Sequence, residues 1–407
     1  MSAMSPTLNF QAGEIRQIPL INNPSNKIIN NAENIISLSR QDWNSYETSW
    51  DFTTLPLLRV GSENLEQNTR FPLSTSLKET YQNLRQKWQE MTLAMQKLEE
   101  ENNSIFIEAY GLQDELTPEV LLKEITLTCN PHYRYKKEVG SEKWEVRNKE
   151  ENTIHFPIDE DLEKRLLADT IKEFISYSVG CMFGRYSLDK EGLILANQGE
   201  TLQDYLKQIP NPTFPPTETN VIPILEGDWF SDDITEQFRQ FLRLTFGEKN
   251  YQQNLNFIEE AIGKSLEKYF LKDFYDDHTK RYKKRPIYWL FSSPKGTFNA
   301  LIYLHRYRPD TVNIVLNSYL REFRLKLEVK LDTFQQIEIS TSATKTEKTK
   351  ALRESEQIKK MIGELETYEQ ETLYPLAIAQ KEIDLDDGVK VNYTKLGKAL
   401  KNITGLG

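Results

Sequence analysis

From Leu77 to Leu98 the residues Leu77, Tyr81, Leu84, Trp88, Met91, Met95 and Leu98 follow one another in alternating steps of four and three. That spacing keeps every one of them on a single side of an α-helix, whereas a strand would send successive residues to opposite faces. The pattern continues through Asn102 and Ile105 to Tyr110, and Gly111 is a natural C-terminal stop. The sequence therefore predicts a rod of about 34 residues, roughly 50 Å long at 1.5 Å per residue. Such a rod serves as a spacer or docking arm, or as one helix of an ordinary bundle; a few heptads do not fix an oligomeric state.

A chain of 407 residues exceeds one ordinary core and suggests about two to three structural units. Its charged fraction of 28% and net charge of -10 describe a soluble, helix-rich protein. The expected fold is mainly α: the long heptad helix plus a helical C-terminal domain with a few short strands. The expected divisions are 1–60, an opening segment with an aromatic linker; 61–117, a long helical spacer; 118–335, a helix-rich domain with the basic aromatic stretch; and 336–407, a charged helical tail. Cys129 and Cys181 have neither CxxC spacing nor a histidine cluster around them, which disfavours a zinc site or a disulfide framework. No metal ligands are assigned. A reducing, cytoplasmic location is expected, with no membrane span and no signal peptide in MSAMSPTLNF.

Charge and aromatics coincide between His278 and Arg308. Lys280, Arg281, Lys283, Lys284, Arg285, Lys295, Arg306 and Arg308 occur there without one Asp or Glu. Tyr282, Tyr288, Trp289, Phe291, Phe298, Tyr303 and Tyr307 are interleaved with them. An acidic protein binds a polyanion only through a concentrated positive patch, so these cations are candidate DNA phosphate contacts. Aromatics could stack on bases, or belong to the core, and a basic run is often a solvated face. The local expectation is a strand or buried turn at Pro286 to Phe291 and a helix from Gly296 to His305. A second helix, capped by Asp310 or Thr311, should run through Phe323 to Leu331.

Elsewhere, a short strand is expected across Leu8 to Leu20, then an Asn-rich linker from Asn22 to Asn34. Ser39 is positioned as an N-cap, with Trp43, Tyr46 and Trp50 on one helix face. Pro118 should open a short helix, and Glu124 to Thr128 reads as a strand leading into Asn130-Pro131-His132-Tyr133. Amino-group methyltransferases place an Asn or Asp, two prolines and an aromatic at a strand end, where they hold a flipped base. Here His132 replaces the second proline and no Gly-rich strand-to-helix turn lies upstream, so a plain Asn-Pro turn is preferred and no catalytic residue is assigned. Further helices are expected over Asp161 to Met182, from an acidic cap at Asp228 to Asp233 through Phe246, over Tyr251 to Phe274, and over Ala351 to Gln370. A polar stretch (Glu138 to Asn152), an exposed loop (198 to 220) and a Ser/Thr/Lys break (Ser340 to Lys350) separate them. Asp384, Asp386 and Asp387 beside Gly388 lack the spacing of a calcium loop and read as a turn.

The segments RQDWNSYETSWDF (40 to 52), IFIEAYGLQDELTPEV (105 to 120), FISYSVGCMFGRYSLDKEGLILANQGE (174 to 200), VIPILEGDWFSDDI (221 to 234), KDFYDDHTKRYKKRPIYWLFSSPKGTFNALIYLHRYRPDTV (272 to 312) and DLDDGVKVNYTKLGKAL (384 to 400) carry a resemblance. Together they resemble the C-terminal portion of the BREX phage-exclusion adenine-specific DNA methyltransferases, the Eco57I-like PglX family. The resemblance implies adenine-N6 methylation, S-adenosylmethionine as cofactor of the full-length enzymes, and phage defence alongside other BREX proteins. It also implies that residues 1–60, through LNFQAGEIRQIPL, hold the end of the target-recognition region, and that the catalytic domain, with its Gly-rich turn and Asn-Pro-Pro-Tyr motif, is missing from this chain. The leading expectation is a noncatalytic DNA-binding and scaffolding part whose partners are double-stranded DNA and the methyltransferase catalytic domain. The alternative is a protein-interaction platform for other defence components or a phage inhibitor, without DNA contact.

Overall fold

A computed structural model describes residues 25–62, 71–135 and 159–406. The expected strand across Leu8 to Leu20 and the polar stretch from Glu138 to Asn152 lie outside the described residues. The architecture is mainly α with one small sheet, as the periodicities predict. Two compact units result: Met1–Asn44 with Arg85–Glu163, and Ser45–Leu84 with Lys164–Gly407.

In the first unit, α1 (Asn26–Trp43) begins on Ser25, whose side chain accepts from the Ile28 N–H. From Asn26 on, the Asn-rich segment is thus helix and not linker: Asn26, Asn30 and Asn34 lie on its exposed face, while the buried Asn31 donates its amide to Glu101 and Asn102, so none of them breaks a helix that is capped at Ser25 and anchored at Ile28. Ser39 consequently lies inside α1. Trp43 ends that helix, so Tyr46 and Trp50 do not share its face. A short α2 (Pro56–Ser62), in the second unit, precedes α3, which spans Leu77–Tyr110, the expected 34 residues, and stops at Gly111 with φ of 67°. Of the heptad residues, Leu77, Tyr81, Leu84, Trp88 and Met95 are buried.

No helix starts at Pro118 and no strand forms over 124–128; a 3-10 turn occupies Leu122–Glu124. The buried Asp42 carboxylate accepts the N–H groups of Thr128 (2.6 Å) and Cys129 (3.0 Å), so this backbone is satisfied without a neighbouring strand. Asn130 caps the one-turn α4 (Pro131–Arg134): its Oδ1 accepts from His132 N–H while its amide donates to the Leu122 and Ile125 carbonyls. Arg85 and Glu163 close a bidentate pair at 2.7 and 2.6 Å.

The second unit holds α5 (Glu160–Met182, from Lys164 on), α6 (Leu202–Gln208, inside the expected loop), α7 (Ile234–Phe246, capped by Asp233), α8 (Tyr251–Ile262), α9 (Leu266–Lys272) and α10 (Phe274–Arg281). Gly263, at φ 71°, ends α8 and divides the expected continuous helix. Strands β1 (Val221–Pro223), β2 (Tyr288–Ser292) and β3 (Asn299–Tyr303) form an antiparallel sheet in the order β1-β3-β2. The helix expected from Gly296 to His305 is therefore a strand. Its apolar run is too short for periodicity to choose, and it pairs on both edges: Leu301 faces Ile222 and Leu290. The β2–β3 turn places Gly296 at φ 73°, which a side chain rarely adopts.

Next, α11 (Thr311–Ile314) passes through a π segment (Val315–Leu320) into α12 (Arg321–Ile339). The expected helix is real but longer, and Asp310 makes no side-chain cap bond. α13 (Lys345–Tyr368) starts at the Thr344/Glu347 capping box and packs along α12; α14 (Tyr374–Ala379) and α15 (Val389–Leu396) follow. The turn at Asp384 to Gly388 is a 3-10 turn. Leu400 bridges to Phe291, and Lys401 N–H donates to the Leu290 carbonyl at 2.8 Å, covering the outer edge of β2.

Candidate nucleic-acid interface

The last turn of α10 carries His278, Lys280 and Arg281, and the chain then reverses. Lys283 N–H donates to the Lys280 carbonyl (3.0 Å) and Lys284 N–H to that of Thr279 (2.8 Å), the double closure of a Schellman motif. Both lysines are left-handed, with φ of 51° and 61°. Glycine usually fills such a place, and a side chain there costs about 1 kcal/mol or more. Lys280, Lys283, Lys284 and Arg285 are all exposed around this turn. Lys284 Nζ reaches the Thr404 carbonyl at 3.2 Å. No ion pair involves Lys280, Lys283 or Arg285 among the described residues.

The remaining candidates lie in different surroundings. Arg281 is turned inward to Glu47 at 3.0 Å, the two side chains being 18% and 8% exposed. Glu47 also accepts from Ser176 Oγ at 2.6 Å. Burial alone would push the Arg281 guanidinium down, and Glu47, with Glu173 nearby, more than reverses it. Arg306 is buried and donates to the carbonyls of Phe183, Thr217 and Glu218. Burial pushes it down to about 10. Neither arginine stands with the exposed group: each is a framework cation, which residue type alone could not reveal. Arg308 is exposed and paired with Asp310 at 3.4 Å. Lys295 sits on the β2–β3 turn.

Tyr288, Trp289, Phe291, Phe298, Tyr303 and Tyr307 are buried, so the interleaved aromatics are core and not base-stacking platforms. They surround an inward polar cluster in which Arg185 donates to the hydroxyls of Tyr186 (3.1 Å) and Tyr303 (3.0 Å). His278 lies within it, its Nε2 accepting from the N–H groups of Ile287 (3.2 Å) and Tyr288 (3.1 Å). Two donors on one nitrogen require the neutral ring, and burial, with Arg281 and Arg185 nearby, holds His278 well below the usual histidine range. The unfolded chain takes up this proton below about pH 6.5 and the folded chain does not, so stability falls as pH falls through that value. Asp233, pushed up to about 6 by burial, acts in the opposite sense. The His278 contribution is isolated by comparison with His278→Gln. Between pH 6.5 and 5.5, urea unfolding of the wild type should lose about 1 kcal/mol more than the variant. Equal slopes would show that His278 is charged in the folded state.

The structure also gathers basic residues that the sequence reading left apart. Lys272, Lys295, Lys398 and Lys401 line a cleft of about 1010 Å³ whose walls include Leu271, Phe323 and Met361. The repeated three-residue spacing Lys395, Lys398, Lys401 was the available signal; its weakness is that such spacing also suits a solvated helix face.

The described residues do not fit an S-adenosylmethionine site. Their sheet is antiparallel, without the parallel strand-helix-strand unit that presents a Gly-rich turn, and the side chain of Asn130 is engaged as a cap. No group of three or more His, Cys, Asp or Glu among them could hold a metal ion, and none of the helices they form is long and apolar enough to cross a membrane.

Comparison with known proteins matches no family model. The chain is, however, 34% identical over 420 residues to the adenine-specific methyltransferase BrxX of Escherichia coli O9:H4 (strain HS). It is likewise 34% identical over 417 residues to the adenine-specific methyltransferase PglX of Lacticaseibacillus casei (strain Zhang). Both alignments take in 100% of this chain but 32% and 30% of the relatives, so the chain is similar, from end to end, to about a third of an adenine-specific methyltransferase.

Proposed function

We propose that this chain is a noncatalytic, DNA-binding and scaffolding part of a site-specific adenine-N6 DNA methyltransferase of a BREX phage-defence system. It works in the cytoplasm beside the part that binds S-adenosylmethionine. The observation that carries the DNA contact is the rigid turn at Lys283 and Lys284, which holds Lys280, Lys283, Lys284 and Arg285 in the open on a chain of net charge -10. Point charges on long stems position a duplex through its phosphates and do not read its bases, so the contribution is affinity and not site choice. Lys295 and Arg308 would add contacts further along the surface, and α3 would dock against the rest of the enzyme.

The test is fluorescence anisotropy of the purified chain with a duplex across a salt series, beside a variant carrying Lys280→Gln, Lys283→Gln, Lys284→Gln and Arg285→Gln. Each phosphate contact contributes about -0.9 to the log-log salt slope, so the variant should lose roughly 3 to 4 units of slope along with most of its affinity. Arg281 is left intact because it is paired inside the fold. Absence of binding by both proteins at low salt would overturn the reading. The second reading, a platform for other defence components or a phage inhibitor, is favoured by one observation: Trp50 is 97% exposed, and aromatics of that kind anchor protein interfaces.

A further inference from the structure

The cleft of about 1010 Å³ in the second unit is a built feature that the DNA reading leaves without a role of its own. Its rim carries Lys272, Lys295, Lys398 and Lys401 against the carboxylates Glu226 and Asp276. Its walls are apolar at Leu225, Leu271, Leu290, Met361 and Leu400, with Asn299, Thr394 and Asn402 supplying hydrogen-bonding groups between. The turn at one side is held in place: Glu364 accepts from the Lys295 N–H at 2.7 Å and from the Thr297 hydroxyl. The opposite side is held by the Lys401 N–H on the Leu290 carbonyl. A preformed concavity that joins apolar walls to an excess of lysines selects an anionic occupant with an apolar body.

Nucleic acid is the less suited of the anionic polymers. Base binding without pairing relies on open aromatic faces. Here Phe270, Tyr275, Phe323 and Tyr393 are 3%, 5%, 1% and 3% exposed. Their rings are engaged with Phe274, His278, Trp229 and Trp289. The accessible apolar surface is aliphatic, at the half-buried Leu271 and Met361, which matches side chains and not bases.

We infer that the cleft is a docking site for a segment of another polypeptide in which aliphatic or aromatic anchors are flanked by Asp and Glu. The anchors seat against Leu271 and Met361, and the flanking carboxylates meet Lys295, Lys398 and Lys401. The site shares only Lys295 with the DNA reading, because Lys280, Lys283, Lys284 and Arg285, which carry that reading, do not line the cleft.

The probe is a random peptide library displayed on phage and selected on the full chain, followed by anisotropy with the enriched peptides resynthesised. Enriched sequences should combine two or more carboxylates with apolar anchors. Their affinity should fall by about tenfold or more in a Lys295→Glu, Lys398→Glu, Lys401→Glu variant and should survive the four substitutions at Lys280, Lys283, Lys284 and Arg285. The three lysines are exposed, so this variant should melt with the wild type; if it does not, Lys398→Glu and Lys401→Glu read separately give the same comparison. Failure to enrich acidic and apolar sequences, or equal binding by the cleft variants, overturns the inference. Displacement of the peptide by single-stranded oligonucleotide at comparable concentration also overturns it and assigns the cleft to nucleic acid.

Discussion

Glu47→Ala should lower the melting temperature of the second unit by about 10 °C. Glu47 is the carboxylate that Arg281 reaches at 3.0 Å, and it also receives the Ser176 hydroxyl. Removing one member of a buried ion pair leaves the other charged and unpaired, which costs about 3 to 5 kcal/mol. For a unit of this size each kcal/mol moves the midpoint by roughly 2 to 4 °C. The double substitution Glu47→Gln with Arg281→Gln removes both charges and should recover part of the loss, because no buried charge is then left uncompensated. Thermal melts of the three proteins decide the matter. A Glu47→Ala chain that melts with the wild type would mean that solvent already reaches Arg281.

Arg306→Ala should destabilise to a similar extent through a different cause. Three backbone carbonyls, of Phe183, Thr217 and Glu218, converge on this one guanidinium at 3.1, 2.9 and 3.2 Å. Each carbonyl left without a donor costs about 1 to 3 kcal/mol, less whatever water recovers, so a total near 4 kcal/mol is expected in urea unfolding. Arg306→Lys should restore little, since an ammonium on a single stem cannot span three acceptors in different directions. Affinity for duplex DNA, measured on the folded fraction, should stay unchanged. Lys283→Gln should show the reverse, a normal unfolding curve with weaker DNA binding. If Arg306→Ala left stability intact and abolished DNA binding, the division between framework and surface cations drawn here would be wrong.

These two arginines show where sequence reasoning stopped. Residue type established that His278 to Arg308 is basic, but Arg281 and Arg285, four positions apart, differ in everything that matters: one faces Glu47, the other solvent. Burial depends on a carboxylate more than two hundred residues away in the chain, and no local pattern reports it. The long helix was legible from Leu77 to Tyr110 because its periodicity repeats over many turns and a glycine marks the end. Strand β3 was not, because both of its edges are paired and its apolar run from Ala300 to Tyr303 lacks the alternation that marks a half-exposed strand. The helix at Asn26 was hidden by asparagines that suggested a linker, although Ser25 was in place to cap it.

The bridge from Leu400 to Phe291 has a consequence for the chain as a material. A three-stranded sheet has two flanks through which copies of a protein can zip together, and here each is closed by a different device. On β1 the strand is only three residues long and ends in Pro223, which cannot donate a further ladder bond. On β2 the segment around Lys401 lies over the flank and bears charge outward. Loosening that segment would uncover Tyr288 to Ser292, an apolar run without charge, so the residues that shape the cleft also guard against aggregation.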